Sequence, residues 1–186
     1  MGVQYWVNPL ITAAIDGPTL ATAAAASCLP PVARYTLPSG FFDRPGKQLR
    51  ITASGRISCA AGAPGTARYD VRLGATVVFD SLPMNLNAAG KTNVGWLLEL
   101  LLTCRTIGGG NSATLFGQGR WTSEAGVGAP AVTAGSNAVF LLPYNAVPAV
   151  GAGFDSTAAQ IVDLFYTQTV ATGSMTLHQY LLEEVG

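Results

Sequence analysis

The sequence predicts an all-β protein, a jelly-roll or Greek-key β-sandwich of about eight strands with an extended N-terminal arm. The first observation behind this prediction is the stretch Gln48–Phe79, in which apolar and polar residues alternate with a period of two. That period is typical of strands that bury one face. The second observation is that segments rich in Gly and Pro separate the alternating stretches, as turns and crossovers in a sandwich require.

The stretch 48–79 divides around the turn-forming Ala-Gly-Ala-Pro-Gly at 61–65. Leu49, Ile51 and Ala53 begin the apolar series before the turn, and the alternation resumes after it. We interpret the two segments as a hairpin, because two alternating runs joined by a short Gly-containing turn usually pair with each other. Ala75–Asp80 is the predicted third strand.

Later segments extend the pattern. Asn93–Thr106 is either a long strand or a Leu-rich helix, and we favour the strand because a Gly-rich loop and the alternating Thr114–Glu124 follow it. These two segments predict a second hairpin. Ala138–Leu142 predicts a short strand, and Gln160–Val170 with Ser174–Glu183 predicts a final hairpin.

Residues 1–47 differ in composition from residues 48–186, which we assign to the sandwich domain. Pro, Gly and an Ala/Thr tract replace the alternation, and a short helix is predicted over Thr19–Ser27. This predicted arm contains too many apolar side chains for a solvated linker, among them Tyr5, Trp6, Leu10, Ile11 and Ile15. The arm therefore lies either against a neighbouring protein or along its own domain, and these residues are candidate docking residues.

Charge patterning favours an assembly subunit. Of the 186 residues, 49% are hydrophobic and only 11% are charged, with ten basic and ten acidic side chains. Electrostatic repulsion between copies of the chain is therefore weak, which favours association. Without a basic cluster, no nucleic-acid partner is expected. We expect no signal peptide and no membrane association, since the apolar run Trp96–Leu102 is short and contains Glu99.

The sequence offers few parts for catalysis, and no enzyme activity, metal or cofactor is predicted. Its three cysteines lack a C-x-x-C spacing, its only histidine is His178, and its carboxylates are scattered. Asp80 and Asp155 each stand in a Phe-Asp-Ser triplet. We interpret both as turn-stabilising residues, because Asp and Ser side chains capture backbone N–H groups in turns.

Four arginines share the polar parity of the predicted first hairpin: Arg50, Arg56, Arg68 and Arg72. Such a face could meet the carboxylates of a neighbouring protein. A solvated outer face is the simpler alternative.

Several segments resemble a family of small structural proteins of tailed bacteriophages: YTLPSGFFDRPGKQLRITASGRIS (35–58), GTARYDVRLGATVVFDS (65–81), LNAAGKTNVGWLLELLLTCRTIG (86–108), FGQGRWTSEAGVGAP (116–130), FDSTAAQIVDLF (154–165) and VATGSMTLHQYLLE (170–183). The resemblance covers most of the chain from Tyr35 onward. It implies a jelly-roll subunit of the kind that decorates heads or builds tails and fibres, and it implies a homotrimer.

The expected function is therefore that of a structural virion protein, assembled in the host cytoplasm. The leading expectation is a capsid decoration, cement or minor head protein that docks through its arm on the major capsid protein or another virion protein. The alternative is a tail or fibre component with a receptor- or glycan-binding jelly roll.

Overall fold

The computed structural model describes residues 6–127 and 138–186, which form a sandwich of two antiparallel sheets. The predicted all-β sandwich is confirmed. The strands are β1 (Val7–Thr12), β2 (Ala26–Ser27), β3 (Tyr35–Leu37), β4 (Gln48–Ala61), β5 (Thr66–Leu73), β6 (Thr76–Asp80), β7 (Met84–Asn85), β8 (Ala89–Thr106), β9 (Thr114–Ser123), β10 (Ala138–Leu142), β11 (Gln160–Gln168) and β12 (Ser174–Val185). A single 3₁₀ turn, Pro31–Ala33, is the only helix in the described part.

The two sheets differ in the length of their strands. Sheet A has the order β1-β12-β4-β8-β9-β10, and its central strands β4 and β8 are the longest in the protein. Sheet B has the order β2-β11-β5-β6, with β3 added to β11 and β7 added to β5. Each sheet turns the apolar parity of its strands inward, so that the two inner faces form one core.

Aromatic side chains occupy the middle of this core. The Tyr69 ring lies 5.3 Å from the Trp96 ring and 5.3 Å from the Tyr166 ring, measured between centroids. Trp121 continues the cluster to Phe140 at 5.5 Å. Strands of both sheets contribute to the cluster, so it joins the two layers directly.

The strand prediction over Asn93–Thr106 is confirmed, because β8 spans this whole segment and buries Trp96, Leu98 and Leu100 on its inner side. The predicted second hairpin is confirmed as well, since β8 pairs with β9. The predicted third strand corresponds to β6.

The first predicted hairpin is wrong. β4 pairs with β12 and β8 in sheet A, whereas β5 pairs with β11, β6 and β7 in sheet B. The chain therefore crosses from one sheet to the other between 61 and 66. Alternation shows which side chains of a strand face the core. A strand that pairs with the preceding strand and a strand that packs against it from the other sheet show the same alternation, so the pattern does not distinguish them.

The predicted final hairpin is wrong for the same reason, because β11 belongs to sheet B and β12 to sheet A. Since β4 lies beside β12 and β5 lies beside β11, the two crossovers run next to each other. Both connections thus join the sheets at the same side of the sandwich.

The described part of the predicted arm packs along its own domain, which is the second of the two alternatives. β1 adds to the edge of sheet A beside β12, and β2 and β3 pair with β11 in sheet B. Between them Cys28 and Leu29 are fully buried.

The predicted helix over Thr19–Ser27 is wrong. Leu20 forms a two-way backbone bridge with Met175 of β12, at 2.8 and 2.9 Å. These long-range hydrogen bonds replace the local ones of a helix. Among the described residues, no helix has the length and hydrophobicity needed to cross a membrane.

Candidate interaction surfaces

The outer face of sheet A carries exposed or half-buried side chains on five neighbouring strands. Strand register brings six side chains of β4, β8, β9, β10 and β12 together there: Arg50, Glu99, Leu101, Arg120, Leu141 and Glu183. We call these six residues the outer patch. They stand together because each occupies the outward parity of its strand, opposite the buried residues on either side.

Two ion pairs order the charges of the outer patch. Arg50 Nε donates to Glu183 Oε2 at 2.6 Å, and Arg120 donates to Glu99. Each hydrogen bond stabilises the protonated guanidinium, so the Glu183 carboxylate raises the pKa of Arg50 and the Glu99 carboxylate raises the pKa of Arg120. From β12 to β9 the charges therefore alternate as negative, positive, negative, positive.

Apolar side chains stand beside these pairs. Leu101 is 39% exposed and Leu141 is 78% exposed, which leaves apolar surface open to solvent. A shallow groove of about 460 Å³ runs between them, and Gln48, Thr52 and Gln118 add amide and hydroxyl groups to its lining. Apolar contact and hydrogen bonding to a partner are the chemistry that this surface offers.

The outer face of sheet B also carries ion pairs within the chain. Three arginine–aspartate pairs lie there: Arg34 with Asp163 at 3.1 Å, Arg68 with Asp80 at 2.5 Å, and Arg72 with Asp70 at 2.5 Å. The Arg72 guanidinium also covers the Phe165 ring at 3.7 Å. Burial raises the pKa of Asp163, although hydrogen bonding from Ser27 and the charge of Arg34 oppose the rise.

The four arginines predicted to share one face are divided between two. Arg50 and Arg56 project from β4 on the outer side of sheet A, whereas Arg68 and Arg72 project from β5 on the outer side of sheet B. The shared face is therefore wrong, because it depended on the first hairpin. Arg50, Arg68 and Arg72 each pair with a carboxylate of their own chain.

The candidate docking residues of the arm differ in their exposure to solvent. Leu10 and Ile11 are partly buried against the core of their own domain. Trp6 and Ile15 remain 46% and 57% exposed. Tyr5 lies outside the described residues.

The aspartates of the two Phe-Asp-Ser triplets and the histidine have partners within the chain. Asp80 accepts a hydrogen bond from the Leu82 N–H and Asp155 accepts one from the Thr157 N–H, which confirms their turn-stabilising interpretation. Hydrogen bonds, first of all from Thr157, lower the pKa of Asp155. His178 Nδ1 lies 2.9 Å from Asp16 Oδ1, a pairing that their wide separation in sequence concealed.

No group of three His, Cys, Asp or Glu side chains suited to a metal ion occurs within residues 6–127 and 138–186. The three cysteines, Cys28, Cys59 and Cys104, are free and buried, and burial raises the pKa of each thiol.

Sequence reasoning identified one residue of the outer patch as a candidate, Arg50. Alternation in the sequence predicts that Glu99 and Leu101 lie on the outward parity of β8. The sequence did not predict that β4 lies between β8 and β12, because this depends on which strands pair.

No protein-family model and no curated protein matches the chain. Among solved structures, the chain is similar to the CBM2 module of the evolved Dit of Lactobacillus casei BL23 phage J-1. The alignment covers 98% of each chain at 7% sequence identity, with a TM-score of 0.36. At that TM-score the similarity carries no argument about this chain.

Proposed function

We propose that this chain is a structural, non-enzymatic protein of a tailed-bacteriophage particle, and within the particle a tail or fibre component. The observation that carries the proposal is the outer patch, an exposed sheet face with apolar residues and hydrogen-bonding groups. Such a face suits contact with another virion protein. The resemblance of the segments from Tyr35 onward to phage structural proteins is the reason for proposing that the particle is that of a tailed bacteriophage.

The position of the arm residues counts against docking on a capsid through a free arm. Docking on a capsid through such an arm requires that its described residues, 6–47, leave their own domain. In the structure Cys28 and Leu29 lie in the core, and β1, β2 and β3 are paired within the sandwich. Contact through a sheet face requires no such release.

A glycan is a second candidate ligand for the same surface. The groove of about 460 Å³ presents the amide groups of Gln48 and Gln118 beside the hydroxyl of Thr52. Amides and hydroxyls of this kind form hydrogen bonds with sugar hydroxyls. If the groove serves this purpose, Gln118→Ala reduces binding in a glycan-array screen and Gln179→Ala, on the same sheet, leaves it unchanged.

Immunogold electron microscopy of purified particles tests the placement. Antibodies raised against the purified protein are expected to label tails or fibres. Gold confined to heads would overturn the tail placement and restore the capsid decoration alternative. Particles without label, from a preparation in which a known virion antigen is labelled, would overturn the proposal of a virion protein.

A further inference from the structure

We infer that the free edge of β10 pairs with β10 of a second copy of this chain, so that sheet A continues from one copy into the other across a two-fold axis. The inference goes beyond the proposed function, because it concerns the edge of the sheet and not its outer face. Pairing between copies is measured in solution without the particle, so either proposal can fail while the other holds.

β10 is an edge strand of sheet A. It pairs with β9 on one side, over all five of its residues and without a shift in register. No described residue forms a strand pair or a β-bridge with its other side. Alternate backbone N–H and C=O groups along that side point away from the sheet, and a regular row of such groups is a template for another strand.

The other sheet edges of the described structure are protected. β1, at the opposite edge of sheet A, contains Pro9 and a register shift between Pro9 and Ile11. β6, at an edge of sheet B, is covered by the segment 150–152, where the Ala152 N–H donates to the Val77 carbonyl at 3.4 Å. β2, β3 and β7 have only two or three residues each. Proline, bulges, covering loops and short strands prevent edge pairing, and the described residues show none of these at β10.

The side chains of β10 determine which strand fits beside it. Val139 is 61% exposed and Leu141 is 78% exposed, whereas Ala138, Phe140 and Leu142 are buried. None of the five is charged. A partner strand therefore needs apolar side chains on the outward parity, because cross-strand neighbours on one face interact directly. β10 itself meets this requirement, and it is the unprotected edge that a second copy offers.

Symmetry sets the register of this pair. Two copies of one strand pair in antiparallel orientation about a two-fold axis perpendicular to the sheet. An axis at Phe140 pairs all five residues and sets Val139 opposite Leu141 of the other copy, twice. Moving the register by one residue would set an outward side chain opposite an inward one. The dimer then contains one sheet of twelve strands, six from each copy, with both outer patches on the same face.

The contact is small, and its affinity should be low. Five strand residues extend about 17 Å, and a sheet with its side chains is about 10 Å thick. The paired edge is therefore well below the roughly 800 Å² that each partner contributes to a standard stable interface. We expect a dissociation constant between about 10 µM and about 1 mM. Copies held side by side in a particle reach effective concentrations in the millimolar range, at which such a contact is occupied.

Small-angle X-ray scattering over a concentration series up to about 1 mM tests the pairing. The unmodified chain is expected to show a monomer–dimer equilibrium. Val139→Lys/Leu141→Lys places lysine opposite lysine in both outward pairs, so the dissociation constant is expected to rise about tenfold or more. Val139→Lys/Leu141→Glu places lysine opposite glutamate in both pairs and is expected to restore the dimer, because the axis sets residue 139 opposite residue 141.

Two variants serve as controls. Val32→Lys/Ile161→Lys adds the same two charges outside β10, at side chains that are 67% and 47% exposed, and should leave the dimer unchanged. Leu101→Lys adds a charge to the outer patch and should also leave the dimer unchanged, because edge pairing keeps the outer face free. Loss of the dimer in the first control would assign the effect to net charge, and loss in the second would indicate stacked outer faces. Either result overturns the inference.

Circular dichroism must show that each variant is folded before its assembly is judged, and Val139→Glu/Leu141→Glu replaces the double lysine variant if that variant unfolds. The inference is overturned by an unmodified chain that stays monomeric up to about 1 mM, by a trimer such as the resemblance implies, or by a dimer that survives like charges at positions 139 and 141. A lysine–glutamate variant as monomeric as the double lysine variant would overturn the proposed register.

Discussion

Two hydroxyl groups in the core, those of Tyr69 and Ser81, have opposite hydrogen-bonding situations. Both residues are fully buried. The Ser81 hydroxyl accepts from the Tyr69 backbone N–H at 2.8 Å and donates to the Leu82 carbonyl at 3.0 Å. The Tyr69 hydroxyl makes no hydrogen bond of ordinary length and angle among the described residues, although the Trp121 side chain lies close enough to oppose the rise in its pKa. Removing one hydroxyl therefore breaks hydrogen bonds, and removing the other breaks none that is present in this part of the chain.

Tyr69→Phe should leave the free energy of unfolding unchanged or raise it by up to about 1 kcal/mol, because an unpaired buried hydroxyl is costly to desolvate. Ser81→Ala should lower it by about 1–3 kcal/mol, because it leaves a buried N–H without its acceptor. Urea denaturation of both variants beside the parent measures the two changes. A loss on Tyr69→Phe as large as that on Ser81→Ala would show that the tyrosine hydroxyl has a partner after all.

Among the elements, the N-terminal strands differ in what their removal should cost. Deleting residues 1–12 removes β1, an edge strand of sheet A, and leaves the core cluster largely intact. Deleting residues 1–34 also removes Cys28, Leu29 and Ala33, all fully buried. We expect the shorter deletion to fold with reduced stability and the longer one to lose cooperative unfolding, since several buried side chains are lost together.

Thermal melts followed by circular dichroism compare the two deletions with the full chain. A cooperative melt of the chain lacking residues 1–34, close to that of the full chain, would mean that these residues are an accessory arm.

Strand positions were predictable from the sequence, and strand partners were not. The period-two pattern located β4, β5, β8 and β9, because one face of each is buried and the other is not. The turn at 61–65 resembles a hairpin loop in composition, yet it carries the chain across the sandwich. The composition of a segment predicts that the chain turns there. Whether the next strand joins the same sheet or the opposite one depends on the packing of the whole core.

At the scale of the whole molecule, the outer patch could not be predicted because strand partners could not. Its members come from separate strands, and their charges alternate across the sheet only because the strands assemble in the order β12-β4-β8-β9. The residue types were visible, since Glu99 interrupts an apolar run. Their neighbours were set by long-range pairing, which one sequence does not reveal.

Buried tyrosines make the stability of the whole fold sensitive to alkali. Burial raises the pKa of Tyr69, Tyr166 and Tyr180 above the ordinary value near 10. Above about pH 10 the unfolded chain releases these protons and the folded chain keeps them, so the unfolded state binds fewer protons and the free energy of unfolding falls as pH rises. Below about pH 10 this contribution is fully present.

The slope is expected to reach about 0.7 kcal/mol per pH unit for each tyrosine at about pH 10 and to approach about 1.4 near pH 11, or about 4 kcal/mol per unit for the three. Urea unfolding at steps from about pH 8 to about pH 11 measures it. Tyr166→Phe should reduce the slope by about a third. A free energy of unfolding that stays level above pH 10 would contradict the raised pKa values.

The pairing of β1 with β12 has a mechanical consequence. Val7 lies opposite Val185, and the Gly186 N–H donates to the Trp6 carbonyl at 3.3 Å, so the two strand ends stand side by side. Tension applied between residues 6 and 186 loads these hydrogen bonds one at a time, like a zipper, instead of shearing them together. A pull across this pair of ends would therefore peel β1 from sheet A at low force, before the two central strands bear any load.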